Sequence, residues 1–163
     1  MAKKKKQKTS YLPLLSAVLG VVSVIMIFLG AVNYSAVKGV TDLENVTSFT
    51  GLQVSLGYSE GELVSLKVLE FSIMNLLAYA LALGGVILSV FSYLGKGNKF
   101  FAFISAGAFI VSAVFFFLAP TFVVLPKITL LVKENFSLAL GSIIGLITSA
   151  LAGLVSLAQV VKK

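Results

Sequence analysis

The chain has 163 residues, of which 58% are hydrophobic and only 12% charged, with thirteen lysines against six acids for a net charge of +7. A soluble domain of this size cannot bury that much apolar surface, so with a mean hydropathy of +1.05 the chain reads as an integral membrane protein. Cysteine, histidine, arginine and tryptophan are absent, which excludes disulfides, thiolate metal sites and histidine-based catalysis.

In chain order, residues 1–10 form a lysine-rich tail in which Lys3, Lys4, Lys5, Lys6 and Lys8 hold most of the excess charge directly before the first apolar run. Such a cluster is a cytoplasmic topology signal. It also attracts anionic lipid headgroups, at about 1 kcal/mol per lysine, so the positive charge points to a bilayer and not to nucleic acid. Residues 11–33 are the first expected transmembrane helix. The 21 uncharged residues from Leu12 to Val32 exceed the roughly 7 to 15 of a signal-peptide core, so an uncleaved span is expected.

Residues 34–70 form an extracellular connection large enough for structure of its own. Leu52, Val54, Leu56 and Tyr58 alternate with Gln53, Ser55 and Gly57, the period-2 pattern of a half-buried strand. The nearest partner is Ala36 to Thr41, joined through the turn-forming stretch Asp42 to Asn45. Phe49, Gly51, Leu52, Val54 and Tyr58 are the candidates for contacts made by this loop. Asp42-x-Glu44 and Glu60-x-Glu62 form a solvated acidic rim and do not match a calcium loop.

Residues 71–94 make the second span, 95–99 a cytoplasmic turn and 100–119 the third span. Asn75, near the outer end of the second span, is its most polar side chain apart from the hydroxyls, and reads as an interhelical hydrogen-bonding group. Residues 120–135 form a short apolar loop punctuated by Pro120 and Pro126. There Ile128, Leu131 and Val132 share a helical face, which suggests a short interfacial helix or an extension packed under the first loop. The fourth span covers 136–161, and Lys162 and Lys163 end the chain in the cytoplasm. In it Gly141, Gly145, Ser149 and Gly153 place a small residue every fourth position, a flat face for packing within the bundle or against a partner. Ser16, Ser23 and Phe28 in the first span recur as Ser105, Ser112 and Phe117 in the third, at a constant offset.

With the amino terminus inside, nine lysines and no acids face the cytoplasm, and four lysines with all six acids face out: +9 and −2, summing to +7. Both termini are thus cytoplasmic, in a multi-pass protein of the plasma membrane. Basic content made of lysine alone fits an AT-rich bacterial genome. The expected fold is all-α, a left-handed four-transmembrane-helix bundle with a small extracellular β-containing cap.

Phe49-Thr50-Gly51-Leu52-Gln53 follows the first span at a distance that resembles the outer-loop motif of claudin and peripheral-myelin-protein tetraspans. The large first and small second outer loops are similar too. The resemblance implies an outer sheet that contacts partners or copies of itself, with Gly51 and Leu52 carried over directly. Gln53 stands where that family has tryptophan, and the family's two outer-loop cysteines are missing.

No span contains an ionisable residue, which argues against proton-coupled or ion-coupled transport. No nucleophile and base are paired at a useful spacing. No catalytic, cofactor or metal residues are expected. The function expected is that of a non-enzymatic structural or accessory subunit, binding membrane-protein partners or itself. The alternatives are a channel or carrier for a small or apolar solute, and a membrane enzyme or immunity-type protein.

Overall fold

The computed structural model describes residues 11–35, 47–60, 66–95, 98–127, 129 and 131–161. Three helices are long and apolar enough to cross a membrane: α3 (Ile73–Leu94), α4 (Lys99–Phe117) and α5 (Leu140–Val161). A fourth, α1 (Leu12–Ile25), is apolar but shorter and runs into a 3-10 turn over Met26–Phe28. The four pack in the cyclic order α1, α3, α4, α5, so that α1 and α4 lie on one diagonal.

The expected first span of 11–33 is therefore helical only in its first part. Gly30–Tyr34 is strand β1, leaving the 3-10 turn almost without a linker. Unbroken apolar composition cannot separate a helix from a buried strand, and Ala31 and Val32 are buried in a strand. β2 (Thr47–Thr50) and β5 (Phe136–Leu138) flank β1 in an antiparallel sheet ordered β2-β1-β5. Val32 lies opposite both Phe49 and Leu138, and Tyr34 opposite Thr47 and Phe136. The fourth span shortens for the same reason: Phe136–Leu138 is strand, and α5 begins only at Leu140.

The strand expected over Leu52 to Tyr58 is a helix for most of its length. Gly51–Leu56 forms α2, and only Tyr58 enters a strand, β3 (Tyr58–Glu60), which pairs with β4 (Leu66–Leu69). A capping box decides this: the Gln53 N–H donates to the Thr50 hydroxyl at 3.3 Å, and the Thr50 N–H donates to Gln53 Oε1 at 2.8 Å. Its burial is helical as well, with Gly51, Val54 and Ser55 facing inward. The proposed partner Ala36 to Thr41 lies outside the described residues.

Between α4 and β5, Ala119–Phe122 and Lys133–Asn135 are 3-10 turns, and Val132 between them is extended. The interfacial helix expected there is absent among the described residues, and Ile128 lies outside them. Instead this connection is tied to the start of α3. The Ser72 hydroxyl donates to Phe122 O at 2.6 Å, and Glu70 N–H to Val124 O at 2.9 Å. Between sheet and helices lies a core of Val32, Phe49, Val54, Leu69, Val123 and Phe136.

α2 turns into β3 at Gly57, whose φ of 91° lies where a side chain is strained; a Cβ there would also come within 3.0 Å of Leu69 O. Gly57→Ala is expected to cost at least about 1 kcal/mol, read as a lower thermal midpoint of the detergent-solubilised protein. An unchanged midpoint would show that this turn contributes nothing to stability.

Candidate functional site

Polar side chains point inward between the helices while large apolar ones point out. Ser16, Ser23, Ser89, Ser105, Ser112, Ser149 and Ser156 are all buried, whereas Leu83, Phe103, Val114 and Leu154 are exposed. Serine is small enough to let backbones approach and carries a hydroxyl that can bond across the gap.

The hydroxyls form layers. At the end nearest Lys99, Gln159 Nε2 donates to the Ser92 hydroxyl at 2.7 Å, and Ser92 donates to Asn98 O at 3.0 Å. One level further, Ser16 bonds Ser156 at 2.6 Å and Ser89 at 3.1 Å, and Ser89 bonds Ser105 at 2.7 Å. Ser105 also donates to Gly85 O at 2.9 Å, so all four helices meet in this layer. In the next, Ser149 donates to Ser23 at 2.9 Å, Ser23 bonds Thr148 at 2.6 Å, and Ser112 donates to Ala78 O at 2.7 Å.

Phe109 separates these two layers. Its ring reaches from α4 across the diagonal to α1, where a Cβ on Gly20 would come 2.5 Å from it; on α3, a Cβ on Gly85 would come 2.8 Å away. Two glycines therefore make the space that one phenylalanine fills, and the centre is closed. Phe116 closes the level above, packed edge-on against Tyr79 with ring centroids 4.9 Å apart. A Cβ on Gly145 would come 3.0 Å from the Phe116 ring.

The small face of α5 lies inside this arrangement. Gly141 abuts Gly30, Gly145 meets Phe116, Ser149 joins the hydroxyl layer, and Gly153 packs on Ile110 and Ala106. All four residues are occupied within the chain and leave no flat face for a partner. Asn75 is buried and Nδ2 donates to the Ser72 hydroxyl at 3.2 Å, which fastens the first turn of α3. Asn75 and Tyr79 border a space beneath the sheet, together with Ala31, Gly51 and Val54, that is too small for a water molecule. Among the described residues the hydroxyls of Tyr79, Ser55 and Ser142 have no partner.

The loop residues singled out for contacts are mostly internal, which corrects that expectation. Phe49 and Val54 are 4% and 1% exposed, and Gly51 lies against the Tyr79 hydroxyl and Ile27. Leu52 and Tyr58 are half-buried. Their period and aromatic content reflect a packed core, which a contact surface can imitate in sequence. Lys3, Lys4, Lys5, Lys6 and Lys8 lie outside the described residues. Sequence reasoning missed an open cleft of about 420 Å³ beside β3 and β4, lined by Leu56, Tyr58, Ser59, Lys67, Glu70 and Phe71 among others. Its residues come from three elements with no shared motif, so no local pattern announces it.

No protein family, curated protein or solved structure matches this chain.

Two kinds of glycine separate in this arrangement. Gly107 on α4 has open space where a Cβ would go, whereas Gly20 has Phe109. Gly20→Ala is expected to destabilise by about 1–3 kcal/mol through overpacking, and Gly107→Ala to be neutral or stabilising by up to about 1 kcal/mol. Phe109→Ala is expected to cost about 3–5 kcal/mol. Thermal midpoints in one detergent check all three; equal effects of the two glycine variants would contradict the closed centre.

Proposed function

We propose that the chain crosses the plasma membrane four times with both termini in the cytoplasm, and acts as a non-enzymatic structural or accessory subunit that binds other membrane proteins. The fourth crossing is supported by length. The 14 residues of α1 rise about 21 Å and its 3-residue turn adds about 6 Å, close to the roughly 30 Å of hydrocarbon. The sidedness is supported by charge. Counted over the whole sequence, nine lysines and no acids fall on the side where Lys99 opens α4, against four lysines and all six acids on the side of the sheets, which supports reading the sheets as an extracellular cap on a four-helix bundle.

The observation that carries the accessory reading is the closed interior. Within each layer the hydroxyls bond to one another and to backbone, Phe109 fills the space between two layers, and Phe116 fills the level above them. Recognition is thereby left to outward surfaces, among which the cap presents polar ones. A sheet above four helices is also the architecture that the claudin-type resemblance implies. Its motif serves differently here, because Gly51 and Leu52 lie in α2 and not in a strand.

A channel or carrier would need Phe109 to vacate the centre, joining the hydroxyl layers into a path. The two readings separate on purification. An accessory subunit resists carbonate extraction from membranes and co-purifies from mild detergent with a fixed partner, identified by mass spectrometry. A clean monomer that supports solute uptake in liposomes would overturn it.

A further inference from the structure

The cleft beside β3 and β4 joins two kinds of lining. Leu56 and Phe71 are 57% and 52% exposed, large apolar side chains at the end of α2 and just before α3. The opposite wall belongs to the hairpin. Lys67 is exposed on β4, Ser59 is its cross-strand partner on β3, and Glu70 follows β4.

The cleft's height matters as much as its lining. Ser72, one residue before the first turn of α3, donates its N–H to Ser55 O at 3.0 Å, which holds the end of α2 level with the start of the apolar helix. On the membrane reading above, on which this inference rests, that is the depth where hydrocarbon gives way to headgroups. Exposed Ile73 and Met74 continue the apolar lip along α3, where an acyl chain could lie. A volume of about 420 Å³ falls within the range of roughly 300–1,000 Å³ typical of ligand sites.

We propose that this cleft is a headgroup site for a zwitterionic phospholipid of the outer leaflet. Lys67 takes the phosphate, Glu70 takes the ammonium, and Leu56 and Phe71 bracket the glycerol and the first part of the acyl chains. One cation and one anion on the same wall complement a headgroup that carries both charges. Phosphatidylglycerol would satisfy Lys67 through the same phosphate but bring a neutral glycerol in place of the ammonium, and so forgo the charge-assisted contact with Glu70.

The full chain is purified in a nonionic detergent, exposed to equal amounts of phosphatidylcholine, phosphatidylethanolamine and phosphatidylglycerol, and its retained lipid is read by native mass spectrometry. The parent protein is expected to retain the two zwitterionic lipids about tenfold over phosphatidylglycerol, the discrimination that one charge-assisted contact supplies. Lys67→Gln is expected to abolish retention, Lys67→Arg to preserve it, and Glu70→Gln to remove the preference over phosphatidylglycerol. Each variant is compared at the parent's thermal midpoint and elution volume, which separates loss of the site from loss of the fold.

Equal retention by the parent and Lys67→Gln, or no preference over phosphatidylglycerol, would overturn the proposal. So would displacement of the lipid by an equal concentration of soluble glycerophosphocholine, which would make the site one for a free headgroup compound. A parent that retains no lipid yet resists carbonate extraction sinks this site alone; release by carbonate sinks the membrane reading beneath it.

Discussion

Everything in the helical part depends on Phe109 standing between two glycines. Helix backbones come close only where side chains are small, and the ring needs both Gly20 and Gly85 to reach the centre. Once it is there, the serines above and below it are brought within bonding distance across four helices. Individually such hydroxyl bonds are weak, averaging about 0.6 kcal/mol between membrane helices. Their number and their layering specify register, because sliding one helix by a turn would leave buried hydroxyls without partners.

The sheet end follows a different logic. Its core is aromatic and β-branched, with the Tyr34 and Phe136 ring centroids 5.0 Å apart, and it sits directly on the helix ends. Glycine again marks the junction: Gly141 abuts Gly30, and Gly51 abuts Tyr79. Bundle and sheet are thus joined by close backbone contact and by short hydrogen bonds such as that from Ala139 N–H to Ala31 O at 3.1 Å.

Much of this was legible in the sequence, and the parts that were not have identifiable causes. The three long helices were visible because about 20 uncharged residues have few other uses. The recurrence of Ser16 and Ser23 as Ser105 and Ser112 is one that small, apolar composition produces by coincidence, yet these residues meet in the structure. Ser16 and Ser105 both bond Ser89 in one layer, while Ser23 and Ser112 both meet Ser149 in the next. The two diagonal helices supply equal levels of the same stack. The end of α1 was hidden, since the uncharged, apolar run continues past the helix through Val32. The Leu52 to Tyr58 alternation misled because six residues satisfy both periods, and the Thr50-x-x-Gln53 capping signal that settles the matter lies at one end. The cleft could not be read at all, because Leu56, Lys67 and Phe71 meet only after folding.

The pairing of β1 with β5 sets an order of assembly. β1 emerges immediately after α1, yet the strand it needs on one side lies about a hundred residues further on, just before α5, so the sheet must wait until four of the helices described have been made or begun. Until then Val32 and Tyr34 have no partner on that edge. A chain truncated before β5 would present an unpaired, aromatic strand edge, a ready template for pairing with another chain. Closure of the sheet thus couples the first helix described to the start of α5.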